Sequence, residues 1–243
     1  MGAGQGSRAG AGHPEHVTGL ARALADLARD MNGDRSSWAV LDRAVHCAVE
    51  LVPHAEHGTI TGARVRGGVV PAASTSAVGR RLDELQEEVG QGPCLDSASQ
   101  RRTTRVDDLA SETVRWPELA ARSGEVGAAS VLCLQLFVGD DDLGVLNLLA
   151  AAPRAFDEES ERVGLLLAAH AAVALASAQK LENLVVGLTH RDVIGQAKGV
   201  LMERHRLSAD QAFELLSARS QQTNRKLHDI AFELTATGEI PRR

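Results

Sequence analysis

From Phe156 to about Arg204 the apolar residues keep a helical period. Val163, Leu167, His170, Ala174, Ser177, Leu181, Leu184 and Leu188 step by 4, 3, 4, 3, 4, 3 and 4, a heptad seam. Unbroken, such a helix is roughly 70 Å long at ~1.5 Å per residue. It cuts the chain into a body before it and a short tail after it. Its seam is weak in the middle, at Ala174 and Ser177. The first half reads as a core helix packed on a sheet. The second half, Leu181 to Leu188, has no domain of its own to cover it and reads as the seam of a parallel two-helix dimer.

The body mixes both periods. Helical spacing runs through Val17, Leu20, Leu24, Leu27 and Met31, and again through Trp38, Leu41, Val45, Val49 and Val52 behind a Ser36 or Ser37 N-cap. His57 to Arg66 and Val69 to Ser76 read as strands joined at Gly67-Gly68, followed by a helix over 81–89. Gly90-Gln91-Gly92-Pro93 opens a short helix. A short strand is predicted over 103–106 and a short helix over 116–123. Ser130 to Val138 and Leu143 to Ala150 are apolar on nearly every position, the mark of central strands covered on both faces. Asp140, Asp141 and Asp142 fall in the turn between them.

The tail reads as three amphipathic helices. Val193, Ile194, Ala197, Val200 and Leu201 stripe the first, where Gly195 and Gly199 predict close approach of a neighbouring helix. Ser208 and Gln211 form a capping box for the second, with Ala212, Phe213, Leu215 and Leu216 as its buried face. Leu227, Ile230, Ala231 and Leu234 stripe the third, and Gly238 stops it. Phe232 lies off that stripe, placed to stack on a base or to pack on a partner helix. The polar joint from Arg219 to Lys226, with Thr223 or Asn224 as N-cap, sets cations and amides at a helix N-terminus, a setting that suits phosphate and unpaired base edges.

Composition narrows the function. The net charge is −6, yet residues 182–243 hold nine Lys and Arg against eight Asp and Glu. A nearly neutral tail beside an acidic body permits an anionic partner without demanding one. Aromatics make up 2% of the chain, so stacking platforms are scarce. Cys47, Cys94 and Cys133 have no zinc or disulfide spacing, and no metal site is expected. Reduced thiols and the lack of a signal-peptide pattern in the Gly/Ala-rich first residues point to the cytoplasm. His170 reads as a satisfied core residue. Cys94 follows Pro93 near a helix N-terminus, where the dipole lowers a thiol's pKa; it is a candidate redox or ligand-pocket residue, against the plainer reading of a buried structural Cys. No catalytic constellation appears, and no enzyme is expected.

Ile194-x-x-Ala197-Lys198-Gly199-x-Leu201-Met202, the Ala212-Phe213 pair and Ser220-Gln221-x-Thr223-Asn224-Arg225-Lys226-Leu227-x-Asp229 together resemble the ANTAR domain of transcription antitermination regulators. Gly195 departs from the acidic residue of that pattern. Gly90-Gln91-Gly92-Pro93-Cys94-Leu95-Asp96, Arg115-Trp116-Pro117, Leu143-Gly144-x-Leu146-Asn147-Leu148 and the apolar run from His170 resemble a GAF domain of the kind joined to ANTAR in actinobacterial proteins. The resemblance implies an α+β GAF sensor over 15–180, with an antiparallel sheet of about six strands flanked by helices and a small-molecule pocket on one side. It implies a partly coiled-coil connecting helix over 156–190, and an all-α three-helix ANTAR bundle over 190–238. Residues 1–14 read as a disordered tail. No cofactor is required by the sequence.

The function implied is signal-responsive RNA binding: paired hairpin loops in leader transcripts, held by a homodimer, promote antitermination. Lys198, Asn224, Arg225 and Lys226 are the first candidates for RNA contact, with Arg191, Arg204 and Ser220 behind them. Neither DNA nor a membrane is an expected partner. The alternative is a GAF sensor whose C-terminal helices bind a protein.

Overall fold

The computed structural model describes residues 36–62, 73–100 and 102–240, the backbone at 64, 65, 68 and 69, and scattered helical positions between 19 and 29. The expected tail over 1–14 and most of the first helical pattern lie outside these residues. Two compact units divide between Lys180 and Leu181, and each is described by itself.

The first unit opens on α1 (Ser37–Leu51), whose N-cap Ser36 accepts from the Ala39 N–H. Strands β1 (His57–Thr61), β4 (Ala73–Ser74), β5 (Thr104–Val106), β6 (Ser130–Val138) and β7 (Asp141–Ala150) form a five-stranded antiparallel sheet in the order β4-β1-β7-β6-β5. A separate ribbon pairs β2 (Arg64–Val65) with β3 (Gly68–Val69). The first of the two long strands expected over 57–76 is therefore interrupted at Gly62, and residues 70–72 of the second lie outside the described ones. The pairing of Val65 with Gly68 puts Gly68 in a strand, not in the turn. Helices α2 (Ala77–Val89), α3 (Pro93–Gln100) and α4 (Pro117–Arg122) complete the body, and α5 (Glu158–His205) begins after it.

Alternation along β6 and β7 explains why both strands are apolar throughout. Leu132, Leu134, Leu136, Leu146 and Leu148 face one way, against α1 and the Leu167, Ala171 and Leu175 stripe of α5. Val131, Cys133, Val145 and Leu149 face the other way, with Leu82, Leu85, Cys94 and Trp116. A sheet covered on both sides needs apolar residues at both phases of the pleat. The β6–β7 turn is tighter than three aspartates: Gly139, at φ +59°, begins it, and Asp141 already pairs with Val138.

Strand β1 touches α1 so closely that a side chain at Gly58 would collide. A Cβ there would lie 2.8 Å from Val49 and 2.9 Å from Val45. Gly58→Ala is expected to lower stability by about 1–3 kcal/mol, the usual cost of overpacking a filled core. An unchanged midpoint in urea unfolding would contradict that reading.

The first half of the heptad pattern is core. Leu167 and Ala174 are buried in the first unit, which leaves them unavailable to a partner helix. His170 corrects the sequence reading. It is exposed, with Nδ1 2.9 Å from the Leu166 carbonyl. One stretch of α5 is long and apolar enough to cross a membrane by composition, but half of it is buried within the protein, as in a core helix.

The second unit packs the last part of α5 with α6 (Ala209–Thr223) and α7 (Leu227–Thr237). Its core is Ala197, Leu201, Ala212, Leu216, Ile230, Ala231 and Leu234. Both bonds of the Ser208/Gln211 capping box form. Two expectations need correction. Phe213 and Leu215 are exposed rather than buried, because the contact with α5 and α7 needs only the small Ala212 and the Leu216 one turn on. Gly195 and Gly199 are also exposed, and a Cβ at either would meet nothing within 4 Å, so no helix of the unit uses them for close approach.

Candidate RNA interface and sensor face

The joint between α6 and α7 collects four of the sequence candidates. Asn224 is the C-cap of α6 in the left-handed region, at φ +50°, rather than an N-cap. That single residue reverses the chain. The Arg225 N–H then donates to the Ser220 carbonyl at 3.1 Å, and Ser220 Oγ donates to the Arg225 carbonyl at 2.5 Å. Ser220 thus braces the joint from within. Lys226 is exposed at the N-cap position of α7 without a capping side-chain bond. Arg225 is exposed but turned back onto Glu233, 2.7 Å away.

The other candidates lie apart from the joint. Lys198 on α5 is half-buried, its Nζ 5.9 Å from the centre of the Phe213 ring, a cation–π distance. The Arg204 guanidinium donates to the Gly238 carbonyl and closes the end of α7. Arg191 is exposed on α5. Beside it, His190 stacks on His228 of α7, with centroids 3.7 Å apart and rings 11° from parallel. That stack ties the segment bearing Arg191 to the turn that starts with Lys226. No sequence signal links two histidines 38 positions apart. Phe232 is 64% exposed, as its place off the stripe predicts. Leu181, Leu184 and Leu188 are 51%, 57% and 62% exposed.

A second constellation occupies the α2–α3 side of the sheet. Alternation points Gln135 and Asn147, the polar members of β6 and β7, to that side with Cys133 and Val145. Asn147 Nδ2 donates to Thr61 Oγ1 at 3.1 Å and to Asp83 at 3.3 Å, and Thr59 Oγ1 donates to Asp83 at 2.7 Å. Burial pushes the Asp83 carboxyl up to about 7, against the two hydrogen bonds that favour its charged form. Thr61 Oγ1 lies 2.9 Å from Cys94 Sγ. The motif around Cys94 now has a mechanical reason. Gln86 Oε1 accepts the Cys94 N–H at 2.9 Å, and a Cβ at Gly92, where φ is +150°, would lie 2.2 Å from that oxygen. Trp116 Nε1 donates to Asp96 at 3.1 Å, which joins the Arg115-Trp116-Pro117 motif to the Cys94-Leu95-Asp96 run.

The thiol itself corrects the sequence argument. Cys94 is buried, and burial raises its pKa to about 11 in spite of the bond with Thr61. Burial is the largest influence on the thiol, and it disfavours the thiolate that a redox sensor needs. Among the described residues, no group of three or more His, Cys, Asp or Glu could hold a metal ion.

Fold and sites define a class: an antiparallel sheet flanked by helices, followed by a small three-helix unit. Family models assign both parts, a GAF domain over residues 16–176 and an ANTAR domain over 182–234. The chain belongs to the GAF family and carries an ANTAR domain after it, the architecture of a sensor-regulated RNA-binding regulator. No curated protein matches it. Among solved structures it is similar to the GAF domain of a phosphoenolpyruvate-protein phosphotransferase from Acinetobacter, at 17% identity and TM-score 0.51, covering 69% of this chain and 96% of that one. It is also similar to the phytochrome photosensory core module of Stigmatella aurantiaca, at 11% identity and TM-score 0.52, covering 88% of this chain and 46% of that one. At these identities the likeness speaks for the fold alone.

Proposed function

We propose that this chain is a cytoplasmic, non-enzymatic regulator that promotes transcription antitermination by binding paired hairpin loops in leader RNA. The sensor occupies 15–180, the connecting helix 156–190 and the output bundle 190–238. The observation that carries this reading is the joint at the start of α7, inside the ANTAR match, where Asn224, Arg225 and Lys226 stand exposed around one reversed turn. Lys226 and Arg191 offer charge to phosphates. Arg225 exchanges Glu233 for a phosphate on binding, and Lys198, Arg204 and Ser220 hold the surface in shape or extend it. A ligand in the sensor shifts the population of states in which the connecting helix pairs with that of a second copy.

Capture of a two-hairpin leader RNA tests the reading. Lys226→Ala is expected to weaken capture about tenfold and to reduce the salt slope by roughly 0.7–0.9, the change that follows when one phosphate is no longer neutralised. If the wild type captures no such RNA across a range of salt, the reading is overturned in favour of the alternative in which the helical unit binds a protein.

A further inference from the structure

Several amide atoms on the sensor side of the sheet lack partners among the described residues: Asn147 Oδ1, Gln86 Nε2, and both Nε2 and Oε1 of Gln135. All three side chains are more than nine-tenths buried, at 0%, 2% and 6% exposed. Buried amides normally find partners. These are also connected. Gln86 holds the Cys94 N–H, Cys94 meets Thr61, and Thr61 accepts from Asn147. Asn147 pairs across the sheet with Cys133 and Gln135 with Val145. Asn147 and Gln135 are therefore diagonal neighbours on one face, within reach of a common bound group.

The charge of the site narrows what it accepts. The charges acting on Asp83 and Cys94 are those of Glu84, Asp142 and Asp83 itself, all acidic. An anion there would meet repulsion from these acids. The open positions are two acceptors and two donors, the complement of a molecule carrying both C=O and N–H groups.

We propose that Asn147, Gln135 and Gln86 bind a small uncharged molecule with adjacent N–H and C=O groups, of the amide, lactam or ureide type, and reject phosphorylated or carboxylated ones. This rests on the reading of the first unit as a sensor. The molecule's N–H groups donate to Asn147 Oδ1 and Gln135 Oε1, and its carbonyls accept from Gln86 and Gln135 Nε2.

Thermal unfolding of the full chain, without RNA, provides the test. The probes are uracil, hydantoin and 2-pyrrolidone, each at about 10 mM, with orotate as the uracil analogue that adds a carboxylate. At least one neutral probe is expected to raise Tm by roughly 5 °C near saturation, and orotate to leave it unchanged. Gln135→Met is expected to raise the Tm of the free protein, since it removes two unpartnered atoms, and to abolish the probe effect. A Gln135→Met variant that unfolds earlier, a response to orotate equal to that of uracil, or no response to any neutral probe overturns the site. A probe response without RNA capture keeps the site and removes the RNA reading. RNA capture without a probe response does the reverse.

Discussion

Replacing Asp83 with Asn is expected to stabilise the sensor domain at pH 8 and to flatten part of its pH dependence. The folded carboxyl titrates at about 7 and its ordinary value is 3.8. Below pH 3.8 the acid is protonated folded or unfolded and costs nothing. As pH rises the unfolded chain loses this proton first, so the folded state binds the extra proton and loses stability, at up to ~1.4 kcal/mol per pH unit. The loss is complete once pH passes 7 and amounts to roughly 4 kcal/mol. Asparagine cannot ionise and its one carbonyl still accepts from Thr59, but its NH2 then faces the Asn147 donor, and that lost hydrogen bond offsets about 1–3 kcal/mol of the gain. Other carboxylates work in the opposite sense: Glu88 and Glu125 are held low by hydrogen bonds from Arg81 and Arg122 and favour higher pH. The informative quantity is therefore the difference between Asp83→Asn and wild type in urea unfolding at pH 5, 6, 7 and 8. It should widen with pH and level off above 7. Parallel curves would mean that Asp83 is ionised throughout.

Asp83 also shows where sequence reasoning stops. Its helix is legible over 81–89, while the first turn from Ala77 behind the Ser76 cap is not, and nothing in a run of exposed charges marks one acid as buried. The sheet is legible because β6 and β7 are apolar at both phases, and that pattern has one meaning. Gln135 and Asn147 break the pattern visibly, and a polar residue inside a strand covered on both sides marks a site. Cys94 is legible as a special position but not in its chemistry, because a helix terminus is a local feature and desolvation is a tertiary one. In the output unit the core stripes are legible at Ala197, Leu201, Ile230 and Leu234. The exposure of Phe213 is not, because a three-helix unit of this size covers fewer positions on each helix than periodicity alone offers. The left-handed turn at Asn224 needs the backbone itself, and so does the His190–His228 stack.

The double substitution Leu184→Asp with Leu188→Asp is expected to leave a monomer with little remaining affinity for a two-hairpin RNA. Leu184 and Leu188 are 57% and 62% exposed, and Val185 between them is 62% exposed. Burying such a side chain contributes about 1.5–3 kcal/mol, and nothing in the second unit covers these. A second copy of the same helix would pair Leu181, Leu184 and Leu188 with themselves at heptad spacing. Two aspartates per chain would set like charges across that seam. If two linked hairpins are held by two output units, the second binding event is intramolecular, and avidity adds about 10²–10⁴ in affinity with no further interface. The variant should then run as a monomer in light scattering and bind the two-hairpin RNA about 100-fold more weakly or worse, while its affinity for a single hairpin stays that of the wild type. Equal weakening on both RNAs would place the leucines in the RNA interface itself. A variant that remained dimeric would move the pairing surface to another part of the chain.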